Sequence, residues 1–352
     1  MLLRRRSEAR FSLPKFVVLQ IVTIFLLGTS GCSDSGDTPR SRTAFYFGTP
    51  CTITLLERAP ESTYNRVFTR FEEIERRMSI TLEASEVSQI NREAGIKAVR
   101  VSRDTFHVIE RGVQFSQLTG GGFDISVGPL VTLWNIGSDY SVVPAPERIR
   151  EKLSLVGFQH IRLDRETREV FLEERGMMLD LGGIAKGYAA EEAGRILAEL
   201  GIRRAIVDIG GNILVLGSKP GNRPWRIGVQ DPLQPRGAYC GILELKASSA
   251  VTSGVYERFF EIDGRRYHHI LDTGNGYPVE NDLLSVTVVS RDSLTADALS
   301  TGLFVFGLQK GMRVAEQTEG LEAVFVTKDR RIHLTSGLPG LFTLTASGYF
   351  LE

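Results

Sequence analysis

Ten residues, Leu179–Tyr188 (LDLGGIAKGY), constrain this chain more than any others. An apolar strand end, Met178-Leu179, runs through Asp180 into the pair Gly182-Gly183, and a helical pattern starts at once. Strand, glycine turn and helix start leave backbone N–H groups unpaired at the positive end of a helix dipole, which makes an anion site. Lys186, in the first helical turn, adds positive charge, and Asp180 is placed to accept from a hydroxyl or a ring nitrogen. The same residues also describe a tight strand–helix connection, so the motif alone does not decide between the two.

The pattern around it is α+β. Ala44–Leu56 alternates as a first strand or hairpin. Tyr64, Val67, Phe68, Phe71, Ile74 and Met78 recur at helical spacing, with Ser62 as the expected N-cap. A second helix is expected over Arg103–Leu118, stopping at Gly120–Gly122. From about His160 short strands dominate: Ile161–Asp164, Glu169–Leu172, Arg204–Ile209, Trp225–Gln230, Gly241–Leu245, Glu257–Ile262 and Leu283–Ser290. Two helices interrupt them, Ala185–Leu200 with Gly201 closing it and another from Ser293 to about Phe306. The expectation is a mainly antiparallel sheet with packed helices. At 352 residues and 42% hydrophobic, the chain can bury a substantial core.

The N-terminus reads differently. A basic stretch, Arg4–Lys15, precedes the apolar run Phe16–Leu27, then small residues Gly28–Gly31 and Cys32. That is the n, h and c pattern of a secretory signal, with an apolar run short for a spanning helix. A cysteine directly after small residues is the lipoprotein pattern, although Thr29 stands where such boxes carry an aliphatic. A plain signal peptide or an uncleaved anchor is the alternative. The expected organisation is therefore a signal over 1–31, a lipidated Cys32 with a polar tether over 32–43, and a folded domain over 44–352. Net charge is zero overall, and removing the basic leader leaves a mildly acidic remainder, which argues against nucleic-acid binding. Cys51 and Cys240 have no zinc spacing with any histidine.

Three further constellations carry chemistry-bearing residues. Asp297 and Thr301 in Thr295–Thr301 (TADALST) stand four apart on one expected helix face, half of a hard-cation site. A solvated Asp beside a back-bonding Thr is the plainer account. In Arg266–Gly276 (RYHHILDTGNG) two adjacent histidines in a strand point to opposite faces, so one of them can enter a site. Gly120–Trp134 (GGGFDISVGPLVTLW) combines three glycines with Phe123, Trp134 and Asp124. Its glycines allow close backbone approach to a ligand, and a buried Asp124 would need a partner.

Taken in order, these stretches resemble the ApbE family, the FAD:protein FMN transferases. The resemblance extends through FGTPCTITL (Phe47–Leu55), VDIGGN (Val207–Asn212), WRIGVQDP (Trp225–Pro232), Thr252–Val279 and SVTVV (Ser285–Val289), from about Ala44 to the C-terminus. It implies an ApbE-like, T-fold-like domain that uses Mg²⁺ and FAD. The FMN moiety of FAD would pass to a Thr or Ser hydroxyl of an exported or membrane flavoprotein, releasing AMP. The resemblance assigns the metal to Asp297, Thr301 and the Gly183 carbonyl. It assigns flavin-nucleotide contacts to Phe47, Gly122, Phe123, Asp124, Asp180, Lys186 and Leu271. His269 would activate the acceptor hydroxyl. The chain would be lipid-anchored through Cys32 on the periplasmic side of the inner membrane.

Three positions depart from the family pattern. Phe47 stands where many members have Met, Thr81 lies near an aromatic position that helps cover the nucleotide, and Thr273 replaces a usual Pro. A more open site at Thr81 favours the alternative of a Mg²⁺-dependent FAD pyrophosphatase. A non-enzymatic flavin-binding lipoprotein is the third possibility, though it would need neither a metal nor a base.

Overall fold

The computed structural model describes residues 39–352. The signal, Cys32 and the tether as far as residue 38 lie outside the described residues. Helices are α1 (Glu61–Met78), α2 (Glu86–Arg92), α3 (Arg103–Leu118), α4 (Gly128–Trp134), α5 (Pro146–Leu153), α6 (Ala185–Glu199) and α7 (Ser293–Gln317).

A nine-stranded sheet organises the molecule. Its spatial order is Arg40–Tyr46, Thr49–Leu55, Ala205–Ile209, Asn212–Leu216, Ser248–Gly254, Leu283–Ser290, Leu321–Thr327, Arg331–Leu334 and Phe350–Leu351. Every pair is antiparallel except the last. One face packs on helices and the other on a three-stranded sheet formed by Trp225–Gln230, Tyr239–Leu245 and Phe342–Leu344. The strand period sorts side chains between the two cores. Ala323 and Phe325 enter the helix-side core, while Val324 and Val326 enter the other. The strand Leu283–Ser290 lies between the two cores, and all eight of its residues are buried, Ser285, Thr287 and Ser290 included. The α+β, mainly antiparallel expectation holds.

Several boundaries differ from the sequence reading. Residues Arg40–Thr43, assigned to the tether, belong to the first strand and pair with Leu55–Thr52. Their polarity reflects a solvated edge: Ser41 and Thr43 share hydrogen bonds with Thr54 and Thr52 at 2.8 and 2.9 Å. Ser62 is not the cap of α1. The helix begins at Glu61 after Pro60, which has no side-chain acceptor to offer, and Glu61 binds Arg42 instead. The helix expected to end near Phe306 does break there, at Gly307 with φ 72°, but a further helical stretch runs on to Gln317. The short helices α2, α4 and α5 carry too few turns to establish a period. Cys51 and Cys240 are free and buried in different cores, and burial pushes both thiols up to about 12.

Candidate active site

The glycine turn is held from both sides. Asn91 accepts from the Leu179 N–H at 2.7 Å and donates to the Leu179 carbonyl at 3.0 Å, and the Asp180 N–H bonds the Ile125 carbonyl at 2.8 Å. Asp180 Oδ1 accepts from the Gly182 N–H at 2.7 Å. Burial raises the Asp180 carboxyl, while that N–H, Arg258 and Lys186 favour its charged form.

Helix α6 then starts with an irregularity that creates a donor set. A regular helix would take the Gly187 N–H back to the Gly183 carbonyl. Here that N–H donates to Asp297 Oδ2 at 2.8 Å. The exchange is possible because α6 and α7 touch through backbone at Gly187, where an added Cβ would lie 2.5 Å from the Ser293 carbonyl oxygen. Among the described residues no backbone hydrogen bond takes the Gly183 carbonyl. Asp297 is buried, and its other oxygen faces Lys186 Nζ at 3.5 Å. Lys186 also donates to the Gly182 carbonyl at 2.9 Å. Thr301 Oγ1 shares a hydrogen bond of 3.1 Å with Ser253 and lies 3.9 Å from where a Gly183 Cβ would stand.

Gly183, Asp297 and Thr301 therefore meet at one corner. The family-implied Mg²⁺ fits it: a carboxylate, a hydroxyl and a carbonyl released from the helix ladder are hard oxygen donors, few in number. Among the described residues no group of three or more His, Cys, Asp or Glu side chains could hold a metal.

Phe123 links this corner to a cavity of about 410 Å³. Its ring would touch a Cβ on Gly183 at 3.1 Å. Gly120–Gly122, Asp124, Phe158, Thr273 and Phe306 are among the cavity's lining. Asp124, expected to need a partner, has three: it accepts from Ser126 N–H and Oγ at 2.8 and 2.7 Å and from Phe158 N–H at 3.0 Å. Burial raises its carboxyl against those bonds. Thr273 donates to the Gly121 carbonyl at 2.6 Å, tying the loop after Leu271 to the glycine stretch. A proline could not make that bond. Leu271 is buried beside Leu130 and Trp134.

The two histidines separate as their period requires. His268 is buried, donating from Nε2 to the Val279 carbonyl at 3.0 Å and standing edge-on to Phe304. His269 faces the site. Its Nδ1 donates to the Arg258 carbonyl at 3.3 Å. Burial first, then the charge of Arg258, push the imidazole down to about 3, so it is neutral at physiological pH. With Nδ1 carrying the proton, Nε2 holds a free lone pair.

Phe47 occupies the hairpin turn with φ 54°, an uncommon left-handed conformation for an aromatic residue. Glu75 holds it by accepting from its N–H at 2.6 Å. Gly48 beside it faces the Arg258 guanidinium, 3.7 Å from an added Cβ. The expected residues thus fall into groups: the metal corner with Asp180, Lys186 and the Phe123 ring, the cavity with Gly122 and Asp124, and the Phe47–Arg258–His269 side, while Leu271 packs in the apolar cluster of Leu130 and Trp134 next to the cavity-lining Asp272. Thr81 is exposed on the chain after α1. Arg258, Glu75 and Ser253 escaped the sequence reading. The only signal for Arg258 was its place in the Thr252–Val279 stretch.

The model of the ApbE family matches residues 47–325. The chain belongs to the ApbE family. It is 40% identical over 309 residues to a FAD:protein FMN transferase of Klebsiella pneumoniae (strain 342), covering 88% of this chain and 96% of that one. A Treponema pallidum protein of the same name is 32% identical over 94% of this chain and 97% of its own. Among solved structures, the ApbE protein of Thermotoga maritima superposes with a TM-score of 0.80 at 33% identity, over 86% of this chain and 99% of that one. The apo flavinyl transferase ApbE of Pseudomonas stutzeri gives 0.77 at 31%, over 88% and 98%. The sequence-based assignment of the chain to this family of transferases stands.

Proposed function

We propose that this ApbE-family chain transfers the FMN moiety of FAD to a Thr or Ser hydroxyl of an acceptor flavoprotein, with Mg²⁺ as cofactor and AMP as the other product. The observation that carries this reading is the meeting of the freed Gly183 carbonyl, Asp297 and Thr301 beside Lys186, whose charge also reaches a neutral His269. Bound there, Mg²⁺ would neutralise phosphate charge at the pyrophosphate.

The chain's own residues do the rest. Lys186 presents positive charge to the pyrophosphate. Asp180 orients the nucleotide through a hydroxyl or ring nitrogen. Phe123 and the glycine stretch supply a flat, close wall, and Phe47 an apolar contact. His269 Nε2 accepts the proton of the attacking hydroxyl, and Nδ1, held by the Arg258 carbonyl, keeps the ring in the tautomer that can do so. Because Thr81 is exposed and offers no aromatic cover, water competes with the protein hydroxyl, and FAD hydrolysis is the second reading. The leader supports a location outside the cytoplasm, with Cys32 lipidated and the domain tethered at the periplasmic face of the inner membrane.

The test is to incubate the purified chain with FAD, Mg²⁺ and an acceptor domain carrying a flavinylation threonine. An acceptor heavier by one FMN supports transfer. Free FMN and AMP with unlabelled acceptor support hydrolysis. FAD bound stoichiometrically and recovered intact would refute both.

A further inference from the structure

Arg258 brings a cation to this site that forms no ion pair among the described residues. It lies just before the strand Phe259–Ile262, with an exposed side chain. Two glycine turns lie against it, an added Cβ standing at ordinary contact distance, 3.4 Å from Arg258 Cδ at Gly137 and 3.7 Å from its guanidinium at Gly48. The neighbouring acids are committed elsewhere, Glu257 facing Arg236 at 3.8 Å and Glu261 pairing with Arg266 at 3.0 Å. Among the described residues the guanidinium has no ion pair and donates no hydrogen bond, yet its charge bears on both Asp180 and His269. Lys186 bears on the same two groups. Two cations from distant chain segments thus act electrostatically on the same two groups, Asp180 and His269. The backbone of Arg258 is occupied as well: its carbonyl accepts from the His269 N–H at 3.1 Å and from Nδ1 at 3.3 Å.

We infer that Arg258 is a phosphate-binding and positioning residue, its guanidinium holding the pyrophosphate of the flavin nucleotide while its carbonyl fixes His269 with Nε2 free. The inference rests on the flavin-nucleotide reading above and adds a residue to it. A guanidinium presents paired N–H donors that match phosphate oxygens, a geometry an ammonium lacks. In the transfer, the acceptor O–H bond breaks and its proton passes to His269 Nε2. The oxygen bonds the FMN-side phosphorus, and the bond from that phosphorus to the bridging oxygen breaks, the electron pair leaving with AMP. Negative charge gathers on that leaving oxygen, and a guanidinium on the pyrophosphate stabilises it as it forms.

The test uses the whole chain with Mg²⁺, an acceptor domain carrying a flavinylation threonine, and the variants Arg258→Ala and Arg258→Lys. FAD and riboflavin binding are followed by flavin fluorescence, and AMP release at saturating FAD. Riboflavin carries the ring system and no phosphate. Arg258→Ala should weaken FAD binding about tenfold or more while leaving riboflavin binding unchanged. It should lower kcat about 100-fold. Arg258→Lys should recover more of the FAD affinity than of kcat, because charge returns without the paired donors. Equal loss of FAD and riboflavin affinity would overturn the inference in favour of a structural role. Wild-type binding and turnover in the alanine variant would overturn it outright. If the wild-type chain releases no AMP, the transfer reading fails alone, because the ratio of FAD to riboflavin affinity still decides what Arg258 holds.

Discussion

The contact between α6 and α7 at Gly187 gives the sharpest prediction. In Gly187→Ala the new Cβ would lie 2.5 Å from the Ser293 carbonyl oxygen, 2.7 Å from Leu294 Cα and 2.8 Å from Asp297 Cβ. Two of those three neighbours are backbone atoms, so no rotamer change relieves the clash. The helices must part by roughly an ångström to restore ordinary contact. That movement lengthens the Gly187 N–H to Asp297 Oδ2 bond, now 2.8 Å, and draws Asp297 away from the Gly183 carbonyl. Overpacking of this kind costs about 1–3 kcal/mol, a Tm loss of about 2–6 °C in a chain this large. Misplacing a metal ligand by an ångström costs far more in turnover, about 100-fold. Gly194→Ala is the control on the same helix. Its Cβ would meet the methyl ends of Leu214 and Leu216, at 2.9 and 3.5 Å, and those side chains can turn aside. Thermal unfolding, Mg²⁺ titration and AMP release should therefore separate the two: modest destabilisation in both, loss of Mg²⁺ affinity and turnover only in Gly187→Ala. Wild-type Mg²⁺ affinity in Gly187→Ala, or equal damage in the control, would refute the claim that this crossing sets the metal corner.

Three other outcomes follow from the same geometry. Asp297→Ala removes the one carboxylate of the corner and should abolish Mg²⁺-stimulated AMP release; an unchanged Mg²⁺ dependence would refute the metal assignment. His269→Gln should lower transfer far more than FAD affinity. Below the unfolded value of 6.5 the unfolded chain binds a proton at this position that the folded chain refuses until about 3. Stability contributed by this group therefore falls as pH drops through that window, and His269→Gln should lose less Tm than wild type between pH 6.5 and 4.5. Asn91→Leu deletes both hydrogen bonds that pin Leu179, at 2.7 and 3.0 Å. It should cost about 2–4 kcal/mol by leaving strand-end groups unpaired, read as a Tm drop with a weakened Mg²⁺ response; a Tm shift under a degree would argue that the turn needs no such anchor.

Sequence exposed the parts of the site whose chemistry is periodic or local. The pair His268-His269 could be divided between core and site because a strand alternates, and the structure buries His268 against Phe304 and leaves His269 facing the site. Asp297 and Thr301 share a helix face because they are four apart. What local pattern could not give was the contact between elements. Phe47 sits at positive φ in a two-residue hairpin loop, and Glu75, on α1, takes its N–H. Thr273 looked like a lost proline, whereas its hydroxyl bridges to Gly121. Nothing in the local pattern singles out Arg258, and its lack of an ion pair appears only when Gly48, Gly137 and His269 are brought around it.

The run Leu179–Tyr188 shows where that boundary lies. Its glycines announce a turn at a helix start, and a free backbone carbonyl cannot be read from them, because residues 183 and 187 would normally bond each other. The bond is diverted by Asp297, more than 100 residues away, and the diversion needs glycine at 187 for α7 to come close enough. One glycine thus exposes the carbonyl and admits the carboxylate that would share a cation with it. A side chain at 187 should return the N–H to Gly183, closing the helix ladder and removing two of the three donors together. Backbone hydrogen exchange offers a direct check. The Gly187 amide should exchange slowly in wild type, and faster in Asp297→Ala unless the Gly183 carbonyl recaptures it. Unaltered protection combined with intact Mg²⁺ binding in that variant would show that Asp297 is not what opens the ladder.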